Sequence, residues 1–268
     1  MAIGVFDSGF GGLTVLGALR AKLPEQDFIY LGDSKYAPYG ERRARDVVDL
    51  TIAGCRYLFG RGCRLVILAC NTSSAIALRP MQEYFVPADR RVLGVLVPMI
   101  EAIAGRPYRG GEQVTVPAQT VAFFATPGTV ESGAFARELA LRATGPRVIS
   151  VPCGGLVGAL ETGDGALAGR IVERAVEAAL EQAAPDVAVL GCTHYPLVEE
   201  AFRAALPEGV KVLSQGPLVA ARLVEYLERF PQFASSGAGL DLVTSGDVEA
   251  VRAGAARLFG TELPFRAM

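Results

Sequence analysis

Short apolar runs recur along the chain at residues 3–6, 28–31, 65–69, 92–96, 121–125, 148–151 and 187–190. Most of these runs end at a glycine or a polar residue, and each reads as a buried strand. Between them, apolar positions at helical spacing predict helices over about 13–23, 42–59, 131–141, 166–183 and 197–205. Residues 211–213 and 240–243 add two short strands, each followed by a helix-compatible segment. Strand, loop and helix in repetition build a mainly parallel sheet with helices on its faces. The units are too numerous for one small sheet, and they predict an α/β protein of two lobes.

In open parallel sheets the ligand lies beyond the carboxyl ends of the strands. Asp7, Asp33, Cys70, Cys153 and Cys192 all stand at such ends. The segments 65–72 and 186–193 echo one another, each an apolar strand ending in a cysteine and then hydrogen-bonding residues. Similar apolar strands are common, so the shared position of the cysteine is the informative part of the echo.

Composition narrows the picture. The 268 residues are 51% hydrophobic with a net charge of -2, which argues against disorder and against nucleic acid as a partner. The first residues enter an apolar strand without the pattern of a secretion signal, and no run approaches the roughly 20 apolar residues of a membrane span. A cytoplasmic enzyme with no membrane partner is expected. Five cysteines, one histidine and no CxxC pair predict reduced thiols and no metal site.

The candidate chemistry sits in Ala69-Cys70-Asn71-Thr72 and Gly191-Cys192-Thr193-His194. Brought together, the two thiols face opposite sides of one carbon, enough to remove a proton on one side and deliver one on the other. Amides at a helix start favour a thiolate and hold carboxylates. His194 suits proton transfer or carboxylate binding. Asp7 precedes Ser8 and Gly9-Phe10-Gly11-Gly12, whose spacing matches neither common nucleotide loop; a carboxylate there orients an ammonium group or modulates a thiol. Asp33, Ser34, Pro38, Tyr39 and Gly40 form a second polar loop, read as pocket wall and lid. Cys55 and Cys63 read as packing residues.

Through these residues the chain resembles the cofactor-independent glutamate racemases. The matching segments are Phe6-Asp7-Ser8-Gly9-Phe10-Gly11-Gly12-Leu13, Pro38-Tyr39-Gly40, Cys70-Asn71-Thr72, Ala125-Thr126-Pro127-Gly128-Thr129 and Gly191-Cys192-Thr193-His194-Tyr195-Pro196. They occur in the family's order over nearly the whole chain. The resemblance implies two similar α/β domains with the active site between them, here 1–95 together with 208–268, and 96–207. It implies interconversion of L- and D-glutamate for peptidoglycan synthesis, no cofactor, and a homodimer.

Carried onto matching positions, Cys70 and Cys192 are the acid/base thiols, assisted by Asp7 and His194. Ser8, Pro38, Tyr39, Gly40, Asn71, Thr72, Thr126, Thr129 and Thr193 match substrate-binding positions. Glu161 falls where the family places a further carboxylate near the second thiol, although 152–160 departs from the usual bulkier sequence. Residues 96–100, Phe135, the long connection 106–119 and Ser214-Gln215-Gly216 also depart from the family pattern. Aspartate racemisation, a one-thiol decarboxylase and a non-catalytic amino-acid-binding protein are the alternative readings.

Overall fold

The computed structural model describes residues 1–105 and 113–268. Of the expected connection 106–119, residues 106–112 lie outside the described residues. The first half runs β1 (Ile3–Asp7), α1 (Leu13–Lys22), β2 (Phe28–Gly32), α2 (Ala44–Gly60), β3 (Leu65–Leu68), α3 (Asn71–Ile76), α4 (Leu78–Tyr84), β4 (Arg91–Gly94) and α5 (Leu96–Ala104). Then follow β5 (Val114–Thr115), β6 (Thr120–Ala125), α6 (Pro127–Glu131), α7 (Ala134–Arg142), β7 (Ala143–Thr144), β8 (Arg147–Pro152), α8 (Leu156–Thr162), α9 (Gly165–Leu180) and β9 (Val187–Gly191). The chain closes with α10 (Glu199–Ala205), β10 (Lys211–Ser214), α11 (Gln215–Arg229), β11 (Leu240–Thr244), α12 (Val248–Phe259) and β12 (Arg266–Ala267).

Two parallel sheets organise these elements. The first has the order β12-β11-β2-β1-β3-β4 and the second β10-β9-β6-β8, with a small β5-β7 pair beside them. Helices cover both faces of each large sheet, so β1, β2, β3 and β9 are buried at every position. Alternation along a strand divides the cores. Val5 packs under α1, α11 and α12, whereas Phe6 faces the α2 side. Likewise Phe124 joins the cluster of α8 and α9, and Phe123 stacks on Phe135 of α7 with ring centroids 4.1 Å apart.

The chain passes from the first sheet to the second through α5 and returns through α11, and these two helices pack together. Arg222 of α11 reaches Glu101 of α5 with Nε 2.7 Å from the carboxylate.

Several expectations are corrected. Strand β10 pairs with β9, so 211–214 belong to the second sheet, and the return to the first lobe comes after Ser214 instead of at 208. The strand expected over 92–96 ends at Gly94 because Leu96 already starts α5, whose apolar face continues the run. The helix expected from 197 begins at Glu199 after a 3-10 turn, Tyr195–Val198. Helices α4, α5, α6 and α8 are absent from the sequence reading. Helix α8 is a seven-residue element bounded by Gly155 and Gly163, both left-handed, which isolates it from α9.

Candidate active site

Both large sheets aim the carboxyl ends of their strands at one narrow cavity of about 30 Å³. The first lobe contributes Ser8 and Gly9 after β1, Pro38, Tyr39 and Gly40 after β2, and Cys70, Asn71 and Thr72 after β3. The second lobe contributes Thr126 after β6, Val157 and Glu161 from α8, and Cys192, Thr193 and His194 after β9. The two thiols thus enter one space from different lobes. Cys70 is 5% exposed and Cys192 6%.

Cys70 caps α3, and its sulfur accepts the Ser73 N–H at 3.4 Å. Burial, reinforced by the charge of Asp7, pushes this thiol up to about 11, with partial relief from Ser8 and Ser73. It therefore rests as a neutral thiol. Asp7 lies fully buried behind the cavity, where Oδ2 accepts the Gly9 N–H at 3.0 Å. Its carboxyl is raised by burial, against the opposing pull of His194 and the Gly12 and Gly9 amides.

The second thiol has a different neighbourhood. The Cys192 sulfur lies 4.0 Å from His194 Nδ1, and His194 Nε2 lies 3.0 Å from Glu161 Oε1. Burial disfavours the imidazolium, but the Cys192 sulfur and the Glu161 carboxylate outweigh it and hold His194 up to about 10. One thiol is kept neutral and the other sits beside a cation. The two sulfurs therefore sit in electrostatically different surroundings.

Hydroxyls and a free amide complete the cavity. Thr72, Thr126 and Thr129 form a triangle of side-chain hydroxyls separated by 2.9 to 3.1 Å. Thr129 lies behind the cavity wall in this triangle and does not line the space. The buried Asn71 carboxamide bonds to no protein group through either polar atom, which leaves donor and acceptor for a bound carboxylate or ammonium. Gly40 approaches Thr126 so closely that a Cβ there would lie 2.5 Å from the threonine Cβ.

Asp33 and Ser34, read from sequence as pocket wall, do not line the cavity. Asp33 instead accepts the Tyr39 and Ser245 hydroxyls and so fixes the tyrosine that does. Sequence reasoning passed over Val157, whose small apolar side chain carries no chemical signal. Helical spacing places Val157 and Glu161 on one face of α8, a signal available only once α8 is recognised. A larger cavity of about 550 Å³ lies among α4, α5, α7 and α11, with arginine and glutamate in its lining but neither thiol nor imidazole. Among the described residues no group of three or more His, Cys, Asp and Glu side chains is placed to hold a metal ion. No described helix is long and apolar enough to cross a membrane.

Known proteins share this fold. The family described as Asp/Glu/Hydantoin racemase matches residues 14–223. The glutamate racemase of Jannaschia sp. (strain CCS1) is 52% identical over 270 residues, covering 100% of both chains. Among solved structures, glutamate racemase isoform RacE1 from Bacillus anthracis superposes with a TM-score of 0.87 at 28% identity, covering 100% of this chain and 97% of that one. The Francisella tularensis glutamate racemase, solved in complex with D-glutamate, gives a TM-score of 0.84 at 26% identity over 100% of this chain and 96% of its own.

Proposed function

Because the chain belongs to the Asp/Glu/Hydantoin racemase family, we propose that it interconverts L- and D-glutamate by a two-thiol proton transfer that supplies D-glutamate for peptidoglycan synthesis. The observation that carries this reading is the entry of Cys70 and Cys192 into one narrow cavity from two lobes. A carbon held between them loses its hydrogen to one sulfur and gains one from the other, with inverted configuration.

The chemical obstacle is the low acidity of the α-hydrogen beside a carboxylate. Donors must meet the negative charge as the carbon becomes planar, and one well-placed donor is worth about 3 kcal/mol. The Asn71 carboxamide, the Thr72 and Thr193 hydroxyls and the nearby amides are assigned that task. In one direction of turnover Cys192, beside His194, takes the proton while neutral Cys70 donates. Turnover in the opposite direction exchanges the roles, with Asp7 serving Cys70 as His194 serves Cys192. Ser8, Pro38, Tyr39, Gly40, Thr126 and Thr129 shape the remainder of the binding site, and no cofactor enters the reaction.

The relatives support glutamate over aspartate, although a substrate shorter by one methylene changes fit by only about 1 to 3 kcal/mol. The same family resemblance supports a cytoplasmic homodimer, to be checked by light scattering of the purified protein. The decisive experiment incubates the protein with L-glutamate in heavy water and follows chirality and deuterium at the α-carbon. Racemisation with deuterium uptake, abolished in both Cys70→Ser and Cys192→Ser, is expected. Binding of glutamate with neither exchange nor racemisation would sink the proposal in favour of a binding protein. Faster turnover of aspartate would reassign the substrate.

A further inference from the structure

A cavity of about 30 Å³ has room for only a few waters, too little for a glutamate-sized ligand unless the lobes around it separate. What re-forms beside Cys192 on closure is a small set of contacts from the first lobe. The Phe10 ring meets the His194 imidazole edge-on at 6.2 Å between centroids, and Arg257 donates to the Glu161 carbonyl at 2.7 Å. The third contact is the most pointed. Thr14 Oγ1, in the first turn of α1, lies 2.9 Å from the carbonyl oxygen of Thr193, the residue between the thiol and the imidazole.

The same hydroxyl lies 2.9 Å from the carbonyl oxygen of Gly11. A threonine hydroxyl has a single proton, so the two carbonyls share it. When the lobes part, the proton falls wholly to Gly11 and no donor is stranded, while the Thr193 carbonyl meets water. A bond that leaves no buried group unsatisfied on breaking is made and broken at little cost.

We propose that Thr14 is a positioning residue whose hydroxyl latches the Cys192-Thr193-His194 turn to the first lobe each time the cleft closes. The proposal rests on the racemase reading of the site. Thr14 acts through the Thr193 carbonyl, and a displaced turn moves thiol and imidazole together. The carbonyl that shares the latch proton belongs to Gly11, the residue that also limits how closely His194 approaches. Proton transfer in a fixed geometry is sensitive to such displacement.

The test compares wild type with Thr14→Val, which keeps the shape and removes the hydroxyl, and Thr14→Ser, which keeps the hydroxyl. Thermal midpoints confirm that each variant folds. Amide hydrogen exchange across residues 191–195, without substrate, reads the turn directly. Valine is expected to accelerate it and to lower kcat by about tenfold, the scale of one hydrogen bond. The limb of the pH profile belonging to His194 shifts, and the limb belonging to Cys70 stays. Since the enantiomers have equal free energy, kcat/KM falls equally in both directions. Serine restores exchange and rate. Unchanged exchange and pH profile in Thr14→Val, or failure of serine to restore them, overturns the latch. A wild type inert toward glutamate, with exchange still faster in the valine variant, upholds the latch and removes the substrate assignment instead.

Discussion

Gly11 shows how much of the site depends on a side chain that is absent. A Cβ built there would lie 2.3 Å from both Cε1 and Nδ1 of His194, a distance that forces the imidazole away. Gly11→Ala is therefore expected to fold normally, bind glutamate, and lose about 100-fold in kcat, the effect of an ångström-scale misplacement of a reacting group. A kcat within a fewfold of wild type would show that the imidazole relocates without consequence. Nothing in the local sequence announces this constraint, because glycine after a strand already reads as a turn and the clash comes from the other lobe. Residues with their own chemistry were more legible: Cys70 and Cys192 stood out by following apolar strands with hydrogen-bonding neighbours. The role of Asp33 was not legible, since it fixes Tyr39 of its own loop together with Ser245 from a distant segment.

At the scale of elements, most of the strands and the long helices announced themselves, and the short helices α4 and α8 did not. Helix α9 carries a buried stripe of Ala168, Val172, Ala175, Val176 and Ala179, the spacing of a helix packed on a sheet. Helix α8, with two glycines in a row before it and another within it, lacks a comparable sequence signal, yet it delivers Val157 and Glu161 to the cavity. The break between α8 and α9 is enforced by Asp164, whose carboxylate accepts the Leu167 N–H at 2.9 Å. Asp164→Ala is expected to cost about 1 kcal/mol of stability, as loss of an N-cap does. Denaturant unfolding would register this as a lower midpoint with an unchanged slope, and an unshifted midpoint would mean the cap contributes nothing. The position of β10 escaped sequence reading for a related reason: a four-residue strand pairs where its neighbours allow, and its partner β9 lies in the second sheet.

The whole molecule should respond to alkali in a defined direction. His194 is held up to about 10 against an ordinary 6.5, and burial raises Cys63 and Cys70 to about 11 and Cys153 to about 12 from 9.0. In each case the folded chain keeps a proton that the unfolded chain releases. The contribution of His194 is complete below about pH 6.5 and is lost as pH rises through about 10; that of the thiols declines above about 9. Each retained proton tilts stability by about 1.4 kcal/mol per pH unit. The melting temperature is expected to fall from about pH 7 to 10, with His194→Asn flattening the early part of the descent. A wild-type midpoint level between about pH 7 and 9 would dismiss the buried imidazolium. The larger organisation has a mechanical consequence as well. The backbone crosses between the lobes at α5 and again at α11, and two fixed points define a line. Bodies joined at two places swing about that line but do not twist freely or slide past one another. The thiols accordingly approach along a single arc, and alignment of the two reacting atoms is a matter of how far the molecule turns instead of where it wanders.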